Sequence, residues 1–268
     1  MQYKSLSALI LASLLTAATL ADAQAGPIRD RIRERMQERM AERGGDSTDA
    51  DSNDPNGLGG NAQNCAEWEA KVSRLQRIAA NRHPGPAPSL KDIAYGNSAL
   101  EKLDVYYPGG KPAGPAPVIV MVHGGGWCVG DKAVAGVTEN KVGRWVPRGF
   151  LFVSLNYPMV SEGSDALAQA NHVARAVAYV QAHAGEWGGD PGRVILMGHS
   201  AGAHLVSLVN ADAHIRQANG VRPVLGTVSL DAGAVDVVRQ MPNTYNFLKA
   251  RYREAFGETE QQWIAAYP

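Results

Sequence analysis

From Lys91 onward, apolar positions fall into short runs separated by longer stretches with helical spacing. The runs occupy Asp92–Tyr95, Leu103–Tyr107, Val118–His123, Phe150–Asn156, Arg193–Gly198 and Val224–Leu230. Later runs are continuous, as in Val118-Ile119-Val120-Met121-Val122, the pattern of a parallel strand covered on both faces. Between them, Ala166–Ala184 and Ala201–Asn210 place apolar residues three and four apart, as helices do. Strand and helix in alternation predict an α/β domain built on a mostly parallel sheet with helices on both faces.

The residues before Lys91 read differently. Lys4 precedes an unbroken run of apolar and small residues from Ala8 to Leu20, followed by two small-x-small sites, Ala21-Asp22-Ala23 and Ala23-Gln24-Ala25. The run is shorter than the ~20 residues of a membrane span, and Gly26-Pro27 follows it. Residues 1–25 therefore predict a cleaved export signal and a periplasmic or secreted chain. Ile28, Ile32, Met36 and Met40 then form a narrow stripe between rows of arginine and glutamate. Such a leader over 28–43 is either a solvated helix or an arm making weak contact with an anionic membrane surface. Gly44 to Asn64 has the composition of a flexible linker. Glu67 to Asn81 returns to helical spacing, with Trp68, Val72, Leu75 and Ile78 on one face, before three prolines between His83 and Pro88. The boundaries predicted are 1–25, 26–64 and 65–268.

Composition narrows the chemistry. The chain has 268 residues, 26 basic against 26 acidic, and 45% hydrophobic content. One sizeable core is affordable at that length, and a balanced charge gives no global attraction for nucleic acid. With two cysteines, neither a disulfide scaffold nor a cysteine-based metal site is expected.

Two motifs carry chemistry. Gly-His-Ser-Ala-Gly at 198–202 follows the apolar run Val194–Met197 and opens a helix at Ala201. A sharp strand-to-helix turn of this type presents the Ser200 hydroxyl as a nucleophile at the carboxyl edge of a sheet, and its glycines let the chain pass close to itself. His-Gly-Gly-Gly-Trp at 123–127 follows the strand ending at Val122. Its glycines can turn backbone N–H groups toward a developing oxyanion, with Gly125, Gly126 and Ala201 as the donors. A phosphate loop would need a Gly-Lys-Ser/Thr ending, which is absent.

With these motifs the chain resembles the α/β-hydrolase superfamily, in particular the esterase and lipase group with an HGGGW oxyanion loop. That group includes hormone-sensitive-lipase-like, feruloyl-esterase-like and kynurenine-formamidase-like enzymes. Tyr95-Gly96, Leu103-Asp104-Val105-Tyr106, Gly130-Asp131-Lys132, Asn156-Tyr157 and Gly188-Gly189-Asp190-Pro191 extend the likeness over about residues 90–268. The resemblance implies Ser200 as nucleophile, Gly125, Gly126 and Ala201 as oxyanion donors, and Trp127 lining the acyl pocket. It further implies small-molecule carboxylic esters as substrates, with no metal or cofactor. The group takes its acid after a seventh strand and its histidine before the last helix. Here a helical stretch through Phe247 to Ala266 follows the sixth run, so the expected fold lacks the last two strands. The sixth strand, Val224–Leu230, would then be an apolar open edge.

Three alternatives stay open at this level. An ester hydrolase, an amidase such as a formamidase, and a catalytically inactive fragment or binding module would share these motifs. Asp231 and Asp236 are expected to cap helices, and His204, one turn beyond Ser200, to be packed. Cys65 and Cys128 either pair across the chain or leave a buried thiol at Cys128; oligomeric state is not legible.

Overall fold

The computed structural model describes residues 64–72, 85–109, 114–232, 234–244 and 246–268. All of these fall in the unit Asn61–Pro268. The export signal, the 28–43 arm, the linker up to residue 63 and the predicted helix beyond residue 72 lie outside the described residues.

Six strands form one sheet: β1 (Leu90–Ala94), β2 (Lys102–Tyr106), β3 (Ala116–Val122), β4 (Leu151–Leu155), β5 (Gly189–His199) and β6 (Gly226–Leu230). Their spatial order is β1-β2-β4-β3-β5-β6. The pairs β1–β2 and β2–β4 are antiparallel, and β4–β3, β3–β5 and β5–β6 are parallel. The helices are α1 (residues 65–72), α2 (Ala166–His183), α3 (Ala201–Ala211), α4 (Ala213–Ala218), α5 (Val237–Asn243), α6 (Asn246–Phe256) and α7 (Glu260–Ala265).

The period of two along each strand separates two apolar layers. Val118, Val120 and Val122 of β3 and Val194 and Leu196 of β5 face a core with Ala170, Val173 and Val177 of α2 and Leu205 and Leu208 of α3. Ile119 and Met121, with Phe152 and Met197, face Val137 and Val142 in a run of mixed helical turns over residues 135–148. Helices thus cover both faces, as expected of the sequence. Asp165 caps α2, its carboxylate accepting from Ala168 N at 2.8 Å.

β6 departs from the pattern of a strand buried on both faces. It is the outer strand, bonded to β5 alone among the described residues, and its positions are half-buried or exposed, with Val228 and neighbouring Leu225 open to solvent. One pairing partner and incomplete cover leave both groups in water. Asp236 caps α5 by accepting from Arg239 N at 2.9 Å. Asp231 does not cap a helix; it follows the end of β6, with a φ of 52°.

Candidate active site

Ser200 sits between the last residue of β5 and the first of α3. Its backbone has φ 52° and ψ −117°, a combination that costs an L-residue of order 1–3 kcal/mol and persists only where the surroundings enforce it. The surroundings do so. Ser200 N donates to Leu230 O at 2.9 Å, and His204 N returns a bond to Ser200 O at 3.2 Å. A methyl group at Gly198 would collide with the Gly202 carbonyl, and one at Gly202 with the Val122 carbonyl. Both glycines of the motif are therefore needed for β5, α3 and the end of β3 to approach one another.

The His123–Trp127 loop lies directly against this turn. A Cβ on Gly124 would stand 2.7 Å from His199 O and 3.0 Å from Ser200 Cβ. Gly125 and Gly126 have φ of 137° and 64°, and Gly125 O accepts from Cys128 N and Val129 N at 3.3 and 3.2 Å. Among the described residues no backbone or side-chain acceptor takes the N–H of Gly125, Gly126 or Ala201. Gly124, passed over in the sequence, proves to be the glycine of the loop that lies against Ser200.

A buried polar network holds the loop from behind. Lys132 Nζ lies 2.8 Å from Asp92 Oδ1 and 3.0 Å from Asp104 Oδ2. Burial works against the ammonium charge, but the two carboxylates outweigh it and raise the Lys132 pKa. Asn156 Oδ1 accepts from Lys132 N at 2.6 Å and its Nδ2 donates to Asp131 at 2.9 Å. Tyr95 and Tyr157 donate their hydroxyls to Asn156 O and His123 O. The Tyr157 ring stacks on that of His123, whose Nδ1 lies 2.9 Å from Gly124 O. Burial lowers the His123 pKa, against the opposing pull of the Gly124 carbonyl, and keeps the ring neutral.

Trp127 is only 2% exposed. Its indole packs edge-on against His204, Tyr252 and Phe256, so protein encloses the ring and it does not form an open pocket wall. His204 is fully buried, with Nδ1 accepting from Trp127 Nε1 at 3.3 Å and Nε2 donating to Ala266 O at 2.8 Å. Burial lowers its pKa to about 4 despite the Ala266 carbonyl. Neither ring nitrogen is free to act on Ser200.

Cys65 and Cys128 form a disulfide, with Cα atoms 5.1 Å apart. It fastens α1 to the residue after Trp127. Among the described residues no group of histidine, cysteine and acidic side chains could hold a metal ion. No described helix is long and apolar enough to cross a membrane.

Residues 103–266, from β2 through α7, match the BD-FAE family. The chain belongs to that family. Among curated proteins, it is similar to the esterase LipC of Mycobacterium tuberculosis, 30% identical over 62% of this chain and 40% of that protein. A probable isoprenylcysteine alpha-carbonyl methylesterase of Oryza sativa is 30% identical over 49% of this chain and 30% of its own length. The BD-FAE chain thus spans well under half the length of these relatives. Crystal structures of esterase B from Lactobacillus rhamnosis share its α/β-hydrolase fold, one with a TM-score of 0.58 at 20% identity over 75% of this chain and 68% of that one.

Proposed function

We propose that this BD-FAE chain carries the nucleophile and the oxyanion-binding half of a serine hydrolase of carboxylic esters. The observation that carries the reading is the strained Ser200 backbone with the Gly124–Gly126 loop packed against it. Ser200 Oγ attacks the ester carbonyl. The N–H groups of Gly125, Gly126 and Ala201 take the charge on the carbonyl oxygen, the alcohol leaves, and water hydrolyses the acyl-enzyme. Esterase names among the relatives support this class of substrate. No metal or cofactor enters the mechanism.

Among the described residues no histidine hydrogen-bonds the Ser200 hydroxyl, and His204 is committed elsewhere. Turnover therefore requires a histidine brought to Ser200 from outside the described residues, oriented by an acid. That observation also favours a second reading, a ligand-binding module that retains the turn and the loop without turnover. We further read the chain as exported, consistent with a disulfide between Cys65 and Cys128.

The test is labelling with a fluorophosphonate alongside hydrolysis of 4-nitrophenyl butyrate. The ester reading expects a covalent adduct on Ser200 and hydrolysis that Ser200→Ala reduces by roughly 10⁴-fold or more. Hydrolysis that survives Ser200→Ala would remove the mechanism. Absence of both adduct and hydrolysis would favour the binding module.

A further inference from the structure

Two buried donors without acceptors stand beside the oxyanion loop. Trp68 Nε1 has no hydrogen-bond partner among the described residues, and it is the nearest heavy atom, at 3.9 Å, to the position a Cβ would take on Gly126. Arg251 lies over the same indole, its Cζ 4.5 Å from the ring centroid. Arg251 is 9% exposed, and its Nε is also buried with no partner. No ion pair to Arg251 occurs among the described residues. Glu254, one turn further along α6, accepts instead from Cys65 N at 3.1 Å.

Buried donors are almost always satisfied, and a guanidinium that has shed water without meeting an acid is the more costly case. The indole face offsets part of that cost through a cation–π contact but leaves the Nε–H without an acceptor. Position adds to the argument. The Cys65–Cys128 disulfide and the Cys65–Glu254 hydrogen bond fix α1 against both the oxyanion loop and α6, which brings Trp68 and Arg251 together next to Gly126.

We propose that Trp68 and Arg251 form a subsite for a carboxylate carried by the substrate, so that the preferred esters bear an acidic group near the scissile bond. The inference rests on the ester-hydrolase reading for its substrate class. The carboxylate supplies what both donors lack: two acceptor oxygens and one negative charge opposite an arginine. Trp68 donates its single N–H, and the Arg251 guanidinium contributes the charge-assisted bonds.

Binding to the Ser200→Ala protein tests the subsite without turnover. Titration calorimetry would compare methyl hydrogen succinate with dimethyl succinate, which differ by one charge at nearly constant shape. The monoester should bind at least 10-fold more tightly. Arg251→Met should abolish that preference, and Trp68→Phe, which keeps the ring and loses the N–H, should reduce it several-fold; thermal melts confirm that each variant is folded. Equal affinity for the two succinates, or a preference that survives in folded Arg251→Met, overturns the proposal. Hydrolysis of 4-nitrophenyl butyrate by the protein with Ser200 intact reports separately on the ester reading. A preference for the monoester without hydrolysis keeps the subsite and removes only the enzyme.

Discussion

Lys132 Nζ lies 3.0 Å from Asp104 Oδ2, with the lysine 4% and the aspartate 1% exposed. The pair joins β2 to the segment just after the His123–Trp127 loop, and Asp104 Oδ1 also accepts from Asp92 N at 2.8 Å. A buried carboxylate so placed is tolerable only while its partners remain. Lys132→Met should therefore destabilise the fold by about 3–5 kcal/mol, by leaving Asp104 charged and unpaired. Lys132→Met combined with Asp104→Leu should recover much of the loss, since removing both charges removes the unmet desolvation cost. Urea unfolding of the three proteins decides it, and a double variant no better than the single would refute the argument.

Gly124 and Gly126 predict opposite outcomes for the same substitution. In Gly124→Ala the new methyl meets His199 O at 2.7 Å and Ser200 Cβ at 3.0 Å, so the loop and the serine turn must separate. A shift of that size is expected to slow fluorophosphonate labelling of Ser200 by about 100-fold. At Gly126 there is room for the methyl, and the cost is the left-handed φ of 64°, about 1–2 kcal/mol of stability. Measuring labelling rate and melting temperature for both separates the two effects. Equal labelling rates in the two variants would show that Gly124 does not set the geometry.

The fold was legible where the apolar pattern was unambiguous. The continuous apolar run Val118–Val122 and the helical spacing of Ala166–Ala184 each mark one element, and both appear within two residues of their expected bounds. The motifs located Ser200 and the glycine loop because a strained turn and a tight approach demand glycine at fixed offsets. What the sequence concealed depends on distance in space. Asp104, Lys132 and Asn156 stood in recognisable pieces, yet nothing in their spacing shows that they meet behind the loop. Trp68 read as one apolar position of a helical face, and nothing in the helical stretch through Phe247 to Ala266 singled out Arg251. Their pairing beside Gly126 comes from a disulfide that sequence left undecided.

His204 should make the fold sensitive to acid. Burial lowers its folded pKa to about 4, against about 6.5 for an exposed imidazole. Between those values the unfolded chain takes up a proton that the folded chain refuses, so stability falls as pH drops from about 6.5 to about 4. His204→Gln keeps one acceptor for Trp127 Nε1 and one donor for Ala266 O but does not titrate. The wild type should lose about 3 kcal/mol more than this variant over the window, by the linkage relation. His123, also buried and held neutral, acts in the same direction in both proteins, so the difference isolates His204. Parallel stability–pH curves for the two proteins would contradict the assignment.

The Cys65–Cys128 bridge closes a loop with a sequence separation of 63 residues. On the chain-entropy relation, removing it frees the unfolded chain and costs about 4 kcal/mol of stability. The structural consequence is local as well. Cys65, Cys128 and Val129 form a small apolar cluster with Trp68 and Val72, separate from the two layers that cover the sheet, so α1 depends on the bridge for much of its hold. Replacing both cysteines with alanine should lower the urea midpoint of global unfolding. It should also raise amide exchange in residues 65–72 well above that in β3 and β5, because that segment loses its covalent tether while each of these strands keeps a hydrogen-bonded neighbour on both sides. If exchange in residues 65–72 remains as slow as in β3 after the bridge is removed, packing alone holds α1 in place.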